Sequence, residues 1–138
     1  MDFVAEIGLN HDGNFDLAYE LMRQAKLAGA SAVKFQLGWR DRPDEINHID
    51  LDRARQLERW AEYLEIEMFC SIISEDAFEL VRELDLPRYK IASRTVVDRP
   101  ELCEAILAEG KDTLVSLGFW EGDGWPFGPP DGDRLKYV

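Results

Sequence analysis

Phe3-Val-Ala-Glu6-Ile-Gly-Leu-Asn10-His11-Asp-Gly13 decides how the rest of the chain is read. An apolar run over residues 3–7 is interrupted by one carboxylate, Glu6, and stops in a polar turn bounded by Gly13. A strand buried in a parallel sheet is almost continuously apolar, so a carboxylate inside it must face something that needs it. Asn10, His11 and Asp12 follow at the C-terminal end of that strand, the end at which parallel α/β sheets and barrels bind ligands. The alternative is a salt-bridged carboxylate beside a turn in which Asn, His, Asp and Gly serve only turn geometry. On this stretch alone both readings stand.

Outward from it the chain alternates. Asn14 can cap a helix whose apolar positions Phe15, Ala18, Met22 and Ala25 recur at helical spacing, widened by Leu21 and Ala28 and stopped at Gly29. Ala32-Val-Lys34-Phe-Gln36 reads as a second strand. A polar loop over residues 38–50, rich in Arg and Asp, separates it from a helix marked by Leu51, Ala54, Leu57, Ala61 and Leu64. Residues 66–71 form a third strand, Ser74 caps a helix through Ala77, Phe78, Val81 and Leu84, and residues 88–92 form a fourth strand. Asp98-Arg-Pro-Glu101 predicts a capping box with proline in the first turn of a helix that ends at Gly110. Residues 113–117 make a fifth strand, and residues 135–138 begin a sixth. Between them, residues 118–133 hold five glycines and three prolines, which predicts a loop without a helix. The spacing of strand starts gives βα units of roughly 20–35 residues, the rhythm of a parallel α/β fold.

At 138 residues, 46% hydrophobic and 32% charged, the chain has the size and balance of one globular domain with a real core. A net charge of −12 argues against nucleic acid or an anionic membrane as partner, because both require a basic surface. No apolar run approaches membrane-spanning length and no signal peptide precedes Phe3, so a cytoplasmic location is expected. Cys70 and Cys103 fall in a strand and a helix and are expected to be reduced and buried. No Cys/His spacing of metal-binding type occurs.

Polar residues recur at the strand ends. Lys34 and Gln36 are two apart on one strand and point the same way. Ser71 ends the third strand, Lys90 lies within the fourth, Ser93 follows it, and Ser116 lies in the fifth. Lysines set between apolar neighbours are costly to bury unpaired. Either Glu6 neutralises one of them and the other reaches solvent, or two lysines and several hydroxyls form an anion pocket in a chain whose overall charge would repel anions. The accumulation of donors favours the pocket, and a ligand with phosphate and carboxylate groups would satisfy them.

Three motifs carry a resemblance: Ala5-Glu6-Ile-Gly-Leu-Asn10-His11-Asp-Gly13, Gly29-Ala-Ser-Ala-Val-Lys34-Phe-Gln36 and Leu86-Pro-Arg-Tyr-Lys90-Ile-Ala-Ser93. In this order they resemble the sialic acid synthase family, which comprises N-acetylneuraminate, legionaminate and pseudaminate synthases and spore-coat polysaccharide relatives. The resemblance implies a TIM (β/α)8-type barrel. Residues 1–138 would be its N-terminal portion, with about the first five to six strands; the last strands and a C-terminal antifreeze-like domain would lie outside the chain.

The activity implied is that of a transferase of carbohydrate biosynthesis. It would condense phosphoenolpyruvate with an N-acetylated hexosamine such as N-acetylmannosamine and release phosphate. Carried over residue by residue, the resemblance makes Glu6 and Gln36 catalytic, Glu6 near a metal and the sugar aldehyde and Gln36 against the sugar. Lys34 and Lys90 would bind phosphoenolpyruvate with Ser93 and Ser116, and Asn10, His11 and Ser71 would complete the substrate site. A divalent metal, manganese or magnesium, is implied in the complete enzyme. Its histidine ligands would come from the last strands, so no metal site is expected in this chain, and His11 and His48 are not those ligands. The partners expected are small-molecule substrates and further copies in a homo-oligomer.

Departures from the family pattern are Cys70-Ser-Ile-Ile-Ser74 in place of Ser-Thr-Pro-Phe, Arg94 where a small residue is favoured, and Val115-Ser-Leu-Gly-Phe119 in place of Ser-Thr-Gly-Met. Arg94 adds a charge at the pocket rim. Two rival readings stand beside the synthase: another barrel aldolase or deoxy-sugar-phosphate synthase acting on a phosphorylated keto acid, and a non-catalytic truncated partner subunit. Six strands cannot close an eight-strand barrel, so either the chain is a fragment of a longer enzyme or another chain supplies the missing elements, and a fragment is expected.

Overall fold

Six strands pair in chain order, β1-β2-β3-β4-β5-β6, and every pair is parallel. In the computed structural model, which describes residues 2–39, 42, 44–132 and 134–138, they are β1 (Val4–Gly8), β2 (Ala32–Leu37), β3 (Glu67–Ile72), β4 (Arg88–Ile91), β5 (Asp112–Val115) and β6 (Leu135–Tyr137). The helices are α1 (Phe15–Leu27), α2 (Leu51–Leu64), α3 (Glu75–Arg82), α4 (Ser93–Asp98) and α5 (Pro100–Ala108). Sequential order without reversal is the winding of a barrel, in contrast to doubly wound sheets, whose strand order reverses. Arg40, Asp41 and Pro43 of the expected polar loop, and Asp133 at the end of the glycine-rich loop, lie outside the described residues. Among the described residues no helix is long and apolar enough to cross a membrane.

Strand parity separates two environments. Val33, Phe35 and Leu37 of β2, Met68, Cys70 and Ile72 of β3, and Tyr89 and Ile91 of β4 join one core with Met22, Leu57, Val81 and Ile106 of the helices. Each fully buried side chain of this kind contributes about 1.5–3 kcal/mol relative to exposure. The alternate residues, among them Lys34, Gln36, Ser71 and Lys90, point to the opposite, concave face. Both cysteines are free and buried, and burial pushes their thiols up to about 12 for Cys70 and about 11 for Cys103.

The caps read from sequence form at α1, where Asn14 accepts the Leu17 N–H at 3.2 Å, and at α3, where Ser74 accepts that of Ala77 at 3.2 Å. Gly29 follows α1 in the left-handed conformation expected of its stop, φ +87°. The capping box does not form. Asp98 closes the short helix α4, where the Arg99 N–H donates to Thr95 O at 2.9 Å, so Asp98 is not in the extended conformation of a cap. Helix α5 begins instead after Arg99, with no side-chain cap and Pro100 in its first turn. Helix α4 itself was not expected, because six residues are too few to show a period. Strand β5 ends at Val115, which puts Ser116 just beyond it.

Candidate functional site

The concave face gathers its polar residues in register. Glu6 lies opposite Lys34, Gln36 opposite Ser71, and Ser71 opposite Lys90. Lys34 Nζ lies 2.5 Å from Glu6 Oε2 and donates to Ser71 Oγ at 2.8 Å. Lys90 Nζ donates to the Ile91 carbonyl at 2.8 Å and to Ser116 Oγ. Ser116 is held there by its own N–H, which donates to the same Ile91 carbonyl at 3.0 Å.

The β1–β2 register shifts between Glu6 and Gly8, and Gly8 takes φ +56°. A Cβ at Gly8 would lie 3.1 Å from Glu6 Oε1 and 3.4 Å from Gln36 Oε1. The glycine bulge thus makes room for the Glu6 and Gln36 side chains. Gly118 lies against Ser93 on the other side, where a Cβ would make only ordinary contact with Ser93 Oγ at 3.6 Å. Neither glycine was singled out from sequence, although Gly8 stands in the first motif and a glycine inside a strand signals a bulge or a close approach.

The two lysines differ electrostatically. Each is only 8% exposed, so both are buried. Glu6 neutralises Lys34, as the bland alternative required, whereas Lys90 has neutral acceptors. Burial, reinforced by repulsion from Lys34 and opposed by Glu6, brings Lys90 down to about 8. It is still mainly protonated at neutral pH, and it has no carboxylate at ion-pair distance among the described residues. Such a cation stabilises a bound anion strongly, because little of its field is screened by water.

Not all the expected site residues meet here. His11 is fully buried at the β1–α1 turn, its ring edge-on to Phe15 at 5.7 Å and tilted against Phe35 at 6.2 Å. Phe35 points to the helix layer and Lys34 to the concave face, so the structure does not bring His11 to the lysines. His11 Nδ1 accepts the Gly13 N–H at 3.2 Å, and Nε2 is buried without a partner among the described residues. Burial lowers the imidazole pKa; Asp12 opposes this and Arg53 adds to it. Asn10 donates from its side chain to Ile7 O at 2.9 Å, a local turn bond. Among the described residues no three His, Cys, Asp or Glu side chains come together to hold a metal ion, and Lys34 occupies Glu6. The described residues alone therefore do not fit one.

Comparison with known proteins bears on this arrangement. The sequence profile of the NeuB family matches residues 44–123. The N-acetylneuraminate-9-phosphate synthase of Homo sapiens is 31% identical over 143 residues, covering 87% of this chain and 40% of that protein. The pseudaminic acid synthase of Helicobacter pylori is 31% identical over 139 residues, covering 83% and 41%. The chain thus spans about two-fifths of the length of the curated relatives it matches. The crystal structure of the N-acetylneuraminic acid synthetase of Leptospira borgpetersenii, in complex with citrate, superposes with a TM-score of 0.77 at 23% identity, over 87% of this chain and 45% of that one. At that identity the likeness establishes the fold: six parallel strands of a sialic acid synthase-type TIM barrel.

Proposed function

The chain belongs to the NeuB family, and from that premise we propose that it forms the phosphoenolpyruvate-binding part of a nonulosonic acid synthase. The observation that carries the reading is the pair Lys34 and Lys90, both buried on the concave face on either side of β3, each with a serine hydroxyl partner. Phosphoenolpyruvate brings a carboxylate and a phosphate, and two desolvated ammonium groups match them in number and sign. In the proposed reaction the enol carbon bonds to the aldehyde of an N-acetylated hexosamine such as N-acetylmannosamine. Water is consumed, and inorganic phosphate is released.

In this reading Lys90 holds the anion most directly, since no carboxylate at ion-pair distance competes for it. Ser116 fixes its ammonium, with Ser93 against Gly118 at the neighbouring strand end. Lys34, shared between Glu6 and Ser71, faces the second anionic group, and Glu6 and Gln36 meet the sugar beside the Gly8 bulge. Preorganised donors of this kind act without reorganising as charge develops on the departing phosphate. A divalent ion, manganese or magnesium, belongs to the proposal for the whole protein; since the described residues do not form its site, no step here runs through it. The same proposal has the whole protein acting in the cytoplasm, as a homo-oligomer, on two small-molecule substrates.

The test is phosphoenolpyruvate binding by the full-length protein, measured by calorimetry for the parent, Lys34→Met and Lys90→Met. Each charge-assisted contact is worth roughly 1.5–3 kcal/mol, so either change should weaken binding on the order of tenfold to a hundredfold. Parental affinity in both variants would refute the assignment.

A further inference from the structure

His11 belongs to the first motif, yet the chemistry proposed above leaves it without a task. Its ring is fully buried between Phe15 of α1 and Phe35 of β2. The Gly13 N–H donates to its Nδ1 at 3.2 Å, and that bond fixes the protonation state by geometry. An accepting Nδ1 carries a lone pair, so the neutral ring bears its proton on Nε2. A second proton has only Nδ1 to go to. There it sets one N–H against another and places a full charge out of reach of water.

The charged groups that face the ring do not relieve that cost. Helix α1 and strand β2 present the rings of Phe15 and Phe35. Arg53 of α2 lies over the Phe15 ring at 5.1 Å, held by its Nη1 donating to His48 O at 2.9 Å, and it repels an imidazolium. Asp12, on the turn itself, attracts one, but it is exposed, so water and salt weaken its field. Burial dominates, and the His11 pKa is lowered.

The turn that this imidazole braces is an unusual one. Asp12 and Gly13 are both left-handed, at φ +47° and +74°, a pairing open to few residues other than Gly, Asn and Asp. The Asp12 N–H donates to Leu9 O at 3.1 Å and the Asn14 N–H to His11 O at 2.8 Å. On one side the turn seats against the β2–α2 loop so closely that a Cβ at Gly13 would overlap the Ile46 carbonyl oxygen. On the other it begins just past Gly8, whose bulge makes room for Glu6 and Gln36. The imidazole thus ties a rim turn to the neighbouring rim loop.

We propose that His11 is a pH-sensitive latch: the neutral ring holds the β1–α1 turn against the β2–α2 loop, and uptake of a proton from solvent on Nδ1 releases them. This goes beyond the synthase reading and does not rest on it. An open turn returns the imidazole to its ordinary value of 6.5, above that of the closed turn. The open form therefore binds more protons below pH 6.5. Opening grows by up to about tenfold per pH unit from there, until the closed form takes the proton too.

Hydrogen exchange of the full-length protein reads the latch as protection of the Gly13 and Asn14 amides, relative to their intrinsic rates, between pH 7.5 and pH 5. In the parent, protection should hold down to about pH 6.5 and then fall by about tenfold or more. The buried Cys103 amide in α5, bonded to Arg99 O, should stay protected throughout. His11→Asn puts an acceptor that does not titrate, Oδ1, in the place of Nδ1 and should show no step. His48→Gln, at the exposed histidine nearby, should behave as the parent. Imidazole nitrogen NMR of the parent should find His11 neutral at pH 7.5 with its proton on Nε2, and a midpoint below 6.5. Parental protection that does not change with pH, an equal step in His11→Asn, or a proton on Nδ1 at pH 7.5 overturns the proposal. Should His11→Asn not fold, the exchange and the NMR titration of the parent decide it.

Discussion

Arg88 and Lys90 sit two residues apart on β4, on the same concave face and about 7 Å from one another along the strand, yet their surroundings are opposite. Arg88, at the N-terminal end, is ion-paired to Glu67, lies 4.0 Å from Asp2 and stacks over Phe69 at 4.7 Å. It lines a cleft of about 220 Å³ shared with Asp112 and Lys136. Lys90, at the C-terminal end, has a carbonyl and a hydroxyl. One end of the concave face pairs its own charge, and the other leaves Lys90 without a carboxylate at ion-pair distance among the described residues. Distribution of carboxylates along the strands, and not residue type, separates the two ends, and the end without a carboxylate for Lys90 is the C-terminal one, at which barrels of this type generally bind ligands.

The sharpest way to break that contrast is Lys90→Met. It should weaken phosphoenolpyruvate binding by the tenfold to hundredfold given above while leaving thermal stability close to parental, because a buried cation without a counter-charge adds little to folding. A fall in stability with affinity unchanged would place Lys90 with Arg88 as a structural charge. Arg88→Met should do the reverse. Removing it leaves Glu67 and Asp2 facing each other without their cation and should cost about 1–2 kcal/mol in denaturant unfolding, with ligand affinity unaltered; weakened binding at parental stability would erase the distinction between the two ends.

A third measurement uses pH. Lys90 loses its proton near pH 8 in the folded chain, against an ordinary value of 10.5. Between these values the unfolded state binds more protons, so the Lys90 contribution to stability rises with pH across that window. Over the same window the ligand loses its cation, and anion affinity should fall by up to about tenfold per pH unit above the operative pKa. The stability of the parent relative to Lys90→Met should therefore improve from pH 8 to pH 10 as affinity declines; a flat difference would show that Lys90 titrates normally. The smallest effect is expected of Ser116→Ala. Removal of one neutral partner of Lys90 should cost a few-fold in phosphoenolpyruvate affinity, about 0.5–1.5 kcal/mol, and no change at all would mean that the hydroxyl does not orient the ammonium.

Much of this frame was readable without coordinates, because it rests on local periodicity. The helix stripes of Ala18 and Met22, with Phe15 partly buried beside them, and of Ala54, Leu57 and Ala61 are buried as their spacing requires, and β2 to β4 fall close to where the apolar runs put them. The failures are equally local in origin. Asp98-Arg-Pro-Glu101 has the composition of a capping box, but a preceding helical turn had already taken Asp98. A cap motif describes a conformation only when the residue before it is free to be extended. His11 was grouped with the strand-end donors because it follows Asn10. A turn can send adjacent side chains to opposite layers, and this one sends the imidazole beneath α1.

The sequence by itself determined the alternation of strands and helices and, through the two-residue period of a strand, that Lys34 and Gln36 share a face. Which charges meet on that face was left to the tertiary structure. Parity states the side on which a residue points and is silent about its neighbour on the next strand. That neighbour depends on register, which shifts by a residue at the Gly8 bulge, and on the reach of long side chains across β1, β2 and β3. Only the assembled sheet gives Glu6 to Lys34, leaves Lys90 to Ser116, and brings Arg94 onto Phe119. These are contacts between segments separated by 28, 26 and 25 positions in the chain, and no local pattern encodes them.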